Sequence, residues 1–137
     1  MSRDGVFVDT GAWIALLSTS DTHHERAVEV LATLLASNRP LVTTQAVVLE
    51  VGDGLAVPRR RQFAPAFREM LAAPSVEVVT LEYPVLEFAW NLFHERRDKE
   101  WSLTDCLSFF VMRQRELFDA FAHDHHFEQA GFRALMR

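Results

Sequence analysis

Short apolar segments rich in β-branched residues alternate with longer helical patterns along the chain. Strands joined by helices pair in parallel, because a parallel connection needs a crossover of a dozen or more residues. The alternation therefore predicts a three-layer α/β domain made of βαβ units. The segments predicted as strands are 5–9, 41–42, 76–81, 117–122 and, more weakly, 133–136.

The intervening segments carry apolar residues at the i, i+3, i+4, i+7 spacing of amphipathic helices. This spacing is clearest in the helices predicted after residue 22 and after residue 58. The signals that predict where helices begin are Asp21 or Thr22, Thr43 or Thr44, Pro58, Pro84, and a capping box from Ser102 to Asp105, with a short helical turn at 12–18.

Length and composition predict a single domain over residues 1–137. Hydrophobic residues make up 49% of the chain, which is enough for a sizeable core. The one cysteine, Cys106, excludes an internal disulfide and indicates a reducing compartment. The first residues lack the layout of a signal peptide, and no apolar run is long enough to span a membrane. We therefore expect a cytoplasmic protein without membrane contact.

The net charge of −5 argues against a simple nucleic-acid binder, which is usually basic. The positive residues are bunched, however, and such bunches either line a groove for a phosphate backbone or form solvated helix faces. The sequence leaves both interpretations open. The bunches are Arg59 to Arg61, then Arg96, Arg97 and Lys99, then Arg113 and Arg115.

Four carboxylates stand at the edges of strongly apolar segments: Asp9, Glu50, Asp105 and Asp124. An ionised carboxylate among apolar neighbours costs several kcal/mol unless it is paired or bound to a metal. Asp9 ends the first predicted strand, and Asp124 follows the fourth. Asp105 and Glu50 lie near the starts of helices, which in a crossover begin at the carboxyl edge of the sheet. All four are therefore expected to meet at that edge, where ligands bind in parallel sheets.

Clustered carboxylates suit Mg²⁺, which prefers hard oxygen ligands, and a bound ion can activate water for phosphodiester hydrolysis. The hydroxyls of Thr10, Ser102 and Thr104 are placed to orient a carboxylate or a water. Repulsion among the acids predicts raised pKa values without metal. Each acid also has a structural interpretation: Asp9 and Asp105 as helix caps, Glu50 as a solvated helix residue and Asp124 as a turn former.

Other clusters were weighed against this site. His123, His125 and His126, with His23 and His24, could form a zinc site, but the spacing of known zinc motifs is missing. Cys106 lies on an apolar stripe, where buried and inert cysteine is usual. The three tryptophans fit core or interface packing better than base stacking. Asp53, one turn after Glu50, could support the site, and Asp98 is a further acid nearby.

Three motifs resemble those of the PIN-domain nucleases. Residues 7–13 (FVDTGAW) resemble the opening motif of that family, 101–109 (WSLTDCLSF) the third-acid motif, and 124–132 (DHHFEQAGF) the closing motif. Glu50 falls where the family places its glutamate, in the helix after the second strand. Two departures stand out: Ala122 replaces a common hydroxyl residue two positions before Asp124, and Asp53 replaces a common asparagine.

The resemblance implies a five-stranded parallel α/β/α fold and a Mg²⁺- or Mn²⁺-dependent endoribonuclease, with Asp9, Glu50, Asp105 and Asp124 as metal ligands and catalytic residues. A metal-activated water would cut RNA to leave 5′-phosphate and 3′-hydroxyl ends. It also implies a VapC-type toxin that forms a homodimer and is held inactive by an antitoxin. The alternatives are a PIN-like module that binds RNA or protein without cutting, or a nuclease of RNA maturation or DNA.

Overall fold

The computed structural model of the protein describes residues 4–137. Its five strands form one sheet in the order β3-β2-β1-β4-β5, and every neighbouring pair is parallel. The predicted five-stranded parallel α/β fold is therefore confirmed. The prediction about a leader segment concerns residues 1–3 and lies outside the described residues. The strands are β1 Val6–Val8, β2 Leu41–Thr44, β3 Val76–Val79, β4 Asp119–Phe121 and β5 Arg133–Ala134.

Helices connect all of these strands, and α1 packs against α2 and α3 while α5 packs against α6. None of the helices within residues 4–137 has the length and apolar character needed to cross a lipid bilayer. The helices are α1 Thr10–Leu17, α2 His24–Ala36, α3 Gln45–Gly54, α4 Ala64–Leu71, α5 Tyr83–Glu95, α6 Leu103–Gln114 and α7 His125–Gln129, with a 3-10 helix at Pro58–Phe63.

The helix expected to begin at Pro58 is divided in two. A 3-10 helix runs to Phe63, and α4 begins at Ala64 with Pro65 in its first turn. Proline has no N–H and clashes with the preceding turn of an α-helix, so Pro65 cannot lie inside a continuous helix but fits the start of a new one. Helix α1 is longer than the predicted turn at 12–18, and α7 was not predicted.

An aromatic cluster fixes the C-terminal third of the chain against the sheet. Phe109 of α6 and Phe127 of α7 are fully buried, and their rings meet edge-on with centroids 5.1 Å apart. Phe127 also lies against Phe7 of β1, at 6.2 Å. Such aromatic pairs contribute beyond the apolar area they bury. The cluster therefore holds α6, α7 and β1 in a fixed relation, and these elements carry three of the four predicted acids.

The strand order changes direction between β1 and β4. Chain connections run outward from β1 through β2 to β3, then return to β4 on the other side of β1. The Asp9 N–H donates to the Phe121 carbonyl at 3.1 Å, so the carboxyl ends of these two strands lie side by side. Ligands of open parallel sheets bind at such a switch point.

Candidate active site

A cleft of about 600 Å³ opens at the carboxyl edge of the sheet, next to this switch point. The structure brings all four predicted acids to its wall, although the first and the last of them lie 115 residues apart in the chain. A fifth carboxylate, three histidines and one arginine join them. The lining residues are Asp9, Thr10, Gly11, Glu50, Glu100, Ser102, Asp105, His123, Asp124, His125, His126 and Arg137.

Asp9 follows β1 directly and occupies the N-cap position of α1, yet its side chain makes no capping hydrogen bond. The capping interpretation of Asp9 therefore does not account for its carboxylate, which lines the cleft instead. Burial raises the pKa of Asp9 to about 7, although a hydrogen bond from the backbone N–H of Thr10 acts to lower it. The charges of Asp105, Glu50 and Asp124 raise it further, as expected for acids that share one site.

Glu50 is brought to the cleft by α3. This helix begins after Thr44, whose side chain accepts a hydrogen bond from the Val47 N–H, as the predicted cap requires. The Thr10 hydroxyl donates to Oε1 of Glu50 at 2.5 Å and so links α1 to α3. Glu50 itself is exposed, and this bond fixes a carboxylate that would otherwise sample several rotamers.

Asp105 lies in the first turn of α6 and is buried. The predicted capping box is confirmed: Ser102 Oγ accepts from the Asp105 N–H, and Asp105 Oδ2 accepts from the Ser102 N–H, both at 3.0 Å. Burial raises the pKa of Asp105, while the bonds from Ser102 and His126 oppose that rise. Thr104, expected to support the site, does not line the cleft, and its carbonyl accepts a bond from Ser108.

Asp124 is the N-cap of α7, and its Oδ1 accepts a hydrogen bond from the His126 N–H at 2.9 Å. It therefore combines the structural role considered for it with a position in the cleft. The short helix α7 turns the chain back immediately after Asp124, and this turn brings His126 over the same opening.

His126 is the residue of the cleft that sequence reasoning undervalued. Its Nδ1 lies 3.0 Å from Oδ2 of Asp105 and 3.3 Å from Oδ1 of Asp124, so the ring bridges two predicted ligands. The sequence did contain one signal. Asp124 can cap a helix, and His126, two residues later, then lies in the first turn of that helix, close to the cap. Glu100 and Arg137 were also missed, and no motif marks either of them.

Among the other residues weighed, His123, His125 and His126 line this same cleft, whereas the rest lie elsewhere or are engaged. Asp53 is exposed on α3 outside the cleft, and Asp98 is paired with Arg96 at 3.0 Å. Cys106 is buried, and burial raises the pKa of its thiol to about 11, so it does not supply a thiolate nucleophile. His23 stacks on His123 with ring centroids 3.7 Å apart, and His24 bonds the Ala15 carbonyl.

The donor chemistry of the cleft fits a divalent cation. Carboxylate oxygens dominate its wall, and the charges of three acids raise the pKa of the fourth, Asp9. Such repulsion is relieved when a cation of charge +2 binds among the acids. Within residues 4–137, Asp124, His125 and His126 also offer ligand atoms that all lie within 4.8 Å of one another.

Comparisons with known proteins agree with this fold. The PIN domain family profile matches residues 6–133. Over 132 residues the chain is 34% identical to the 23S rRNA-specific endonuclease VapC20 of Mycobacterium tuberculosis, covering 93% of this chain and 95% of that protein. The crystal structure of VapC20, described as a Sarcin-Ricin loop cleaving toxin, matches with a TM-score of 0.81 and 30% identity, over 93% of this chain and 95% of the other.

Proposed function

The chain belongs to the PIN domain family, and on that premise we propose that it is a divalent-metal-dependent endoribonuclease, the toxin of a type II toxin–antitoxin pair. The observation that carries the proposal is the meeting of Asp9, Glu50, Asp105 and Asp124 in one cleft at the switch point of the sheet. The homologous VapC20 is named a 23S rRNA-specific endonuclease, so ribosomal RNA is the first substrate to test.

Asp9, Glu50, Asp105 and Asp124 would hold Mg²⁺ or Mn²⁺, since their oxygens are the ligands these ions prefer. A bound ion would lower the pKa of a water and neutralise charge that develops on the phosphate. Asp9 contributes a carboxylate in a poorly solvated position, where its attraction for a cation is strong. Asp105 is held by the rigid start of α6.

Neighbouring residues orient these acids. Thr10 fixes Glu50 through its hydroxyl, and the Ser102 N–H fixes Asp105. Catalytic groups held by bonds and packing in this way lose little conformational entropy when substrate binds. Thr10 and Ser102 are therefore proposed as positioning residues, which hold the acids in place.

Charge decides how RNA enters the cleft. In the described part of the chain, residues 4–137, Arg137 is the one arginine or lysine that lines it, against five carboxylates. Arg96 is paired with Asp98, and Arg115 with Glu77, so these two arginines are neutralised within the chain. Phosphates would be repelled from the metal-free cleft, and RNA binding at this site therefore requires the cation. This argues against the alternative of an RNA-binding module that works without metal.

Two protein partners complete the proposal, both in the cytoplasm. One is an antitoxin that covers the acidic cleft. The other is a second copy of the chain: one face of α5 exposes Tyr83, Trp90 and Phe93, and clustered exposed aromatic residues favour association. Among residues 4–137, none of the residues of α5 lines the cleft, so a homodimer formed through α5 would not use the site residues themselves.

The test is cleavage of ribosomal RNA fragments by the purified protein with Mg²⁺, with Mn²⁺ and with a chelator. Asp9→Asn is expected to reduce cleavage at least a hundredfold, while Asp53→Asn, an exposed acid of α3 outside the cleft, retains activity. Cleavage that survives both the chelator and Asp9→Asn would exclude the proposed enzyme. Matched RNA and DNA substrates separate a ribonuclease from a DNA nuclease, and tight metal-free RNA binding without cleavage favours the module.

A further inference from the structure

We infer that Nδ1 of His126 is itself a metal ligand, together with Asp124, and that this nitrogen makes the cleft bind a divalent first-row transition ion in preference to Mg²⁺. The inference deepens the proposed function, because it uses the same cleft and names the class of ion that the cleft selects.

The distances around His126 match those between ligands that share an ion. Its Nδ1 lies 3.0 Å from Oδ2 of Asp105 and 3.3 Å from Oδ1 of Asp124. Adjacent ligands of an octahedral ion with metal–ligand distances near 2.1 Å stand roughly 3 Å apart. Within residues 4–137, ligand atoms of His126 and Asp124 also belong to the group of atoms that lie within 4.8 Å of one another, so one ion can reach both side chains without large movement.

Packing fixes the imidazole before any ion binds. The side chain of His126 is only 16% exposed, and the backbone N–H of His126 donates to Oδ1 of Asp124. The next residue, Phe127, is fully buried against Phe109 and Phe7, so α7 cannot swing away from the cleft. Ligands held in place before binding lose less entropy, which favours a specific site over a chance contact.

Ligand chemistry then gives the selectivity. Mg²⁺ prefers oxygen donors and binds imidazole poorly, whereas Mn²⁺ and the later first-row ions accept imidazole nitrogen. His125 stands beside His126, and its Nδ1 lies 3.5 Å from Oδ1 of Asp124, but its side chain is more than half exposed and less well fixed. The geometry therefore assigns the nitrogen ligand to His126.

A purely orienting role for His126 makes a different prediction. If the ring only holds Asp105 and Asp124 in place, its removal weakens the binding of Mg²⁺ and Mn²⁺ to the same degree. If it is a ligand, its removal weakens Mn²⁺ binding much more than Mg²⁺ binding. The ratio of the two affinities therefore separates the roles.

Pulsed electron paramagnetic resonance of Mn²⁺ bound to the whole chain tests the inference directly. We expect nitrogen-14 coupling in the wild type, its loss in His126→Gln, and its retention in His125→Gln and in the matched control His94→Gln, an exposed histidine of α5 outside the cleft. Absence of nitrogen coupling in the wild type, or its loss in His125→Gln alone, would overturn the assignment.

Titration calorimetry gives the second measurement. His126→Gln is expected to weaken Mn²⁺ binding roughly tenfold or more and Mg²⁺ binding less than about threefold. Equal weakening of both ions would leave His126 only an orienting role. Nitrogen coupling in a protein that cleaves no RNA would support the metal site while removing the proposed function, and metal-dependent cleavage without nitrogen coupling would do the reverse.

Discussion

Asp9 costs the metal-free protein stability at neutral pH. Its pKa is about 7 in the folded chain, against 3.8 for a solvated aspartate, because burial and neighbouring acids disfavour the ionised form. The folded state therefore holds a proton between these two values that the unfolded state has released. The stability associated with the protonated carboxyl is present below about pH 4 and is lost as the pH rises to about 7. The shift corresponds to at most about 4 kcal/mol.

Asp9→Asn removes this cost, and we expect the variant to be more stable than the wild type at pH 8 by about 1–3 kcal/mol. The difference should shrink towards zero at pH 4, where the wild-type carboxyl is protonated. Urea unfolding in the presence of a chelator, at both pH values, measures it. Asp53→Asn provides the control, since a substitution of an exposed acid changes stability by less than about 0.5 kcal/mol. A variant that is less stable at pH 8 would contradict this account.

The residues of the site differ in how far sequence could identify them. Asp9 and Asp124 follow the carboxyl ends of β1 and β4, so the direction of a parallel sheet was enough to bring them together. The capping-box pattern in the sequence was enough to identify Asp105. The position of His126 depends on how α7 folds back over α6, a tertiary contact that no local pattern encodes. Likewise, nothing near Arg137 indicates that the end of the chain returns to the cleft.

The start of α6 serves stability and the site together. Ser102 and Asp105 satisfy each other's backbone N–H groups, which a helix cannot pair internally. Ser102→Ala is therefore expected to lower the free energy of unfolding by about 1 kcal/mol. Urea unfolding measures the effect, with Thr22→Ala as a control. Thr22 is an exposed hydroxyl residue considered as a cap for α2, whose N-cap is His23. Equal effects of the two substitutions would contradict the capping role.

Helix α5 carries the apolar face that we assign to the homodimer. Trp90→Glu places a charge in the middle of this face, and burying an unpaired charge in an interface is strongly unfavourable. Light scattering after size exclusion should show a dimer for the wild type and a monomer for the variant. Val28→Glu, an equally exposed apolar residue of α2, should remain dimeric. A monomeric wild type, or dimers of all three proteins, would remove α5 as the interface.

The long helices were predictable, whereas the short α7 and the 3-10 helix were not. The periodic apolar pattern of α2 and α6 extends over three turns, so it stands out from chance. Helix α7 has only five residues and owes its existence to the Asp124 cap and the burial of Phe127. The 3-10 helix before α4 depends on the spacing of two prolines, Pro58 and Pro65, of which only the first was read as a helix start.

The two edges of the sheet handle their buried carboxylates in opposite ways. At the carboxyl edge of the sheet, the cleft has five carboxylates and one arginine among its lining residues within 4–137. This excess of negative charge suits a metal site. At the opposite edge, Asp119 of β4 accepts two bonds from Arg133, at 2.8 and 2.9 Å, and one from Arg39 at 2.9 Å. This triad joins β4, β5 and the segment before β2. It was not predicted, since the three residues are far apart in the chain and none lies in a motif.

Asp119→Asn is expected to destabilise the protein by about 1–3 kcal/mol at pH 7, because it removes a buried carboxylate that satisfies two arginines. Burial raises the pKa of Asp119, but the bonds from Arg133 and Arg39 outweigh it and hold the pKa below 3.8. The stability from this lowered pKa is present above pH 3.8 and is lost as the pH falls through the folded value, so wild type and variant should converge in strong acid. Urea unfolding at pH 7 and at pH 2.5 measures the loss of stability and its disappearance in acid.

Glu77→Gln provides the control, because it breaks the more exposed ion pair with Arg115 and should lower the free energy of unfolding by less than about 1 kcal/mol. Equal costs for the two substitutions would show that the Asp119 triad contributes no more than a surface ion pair.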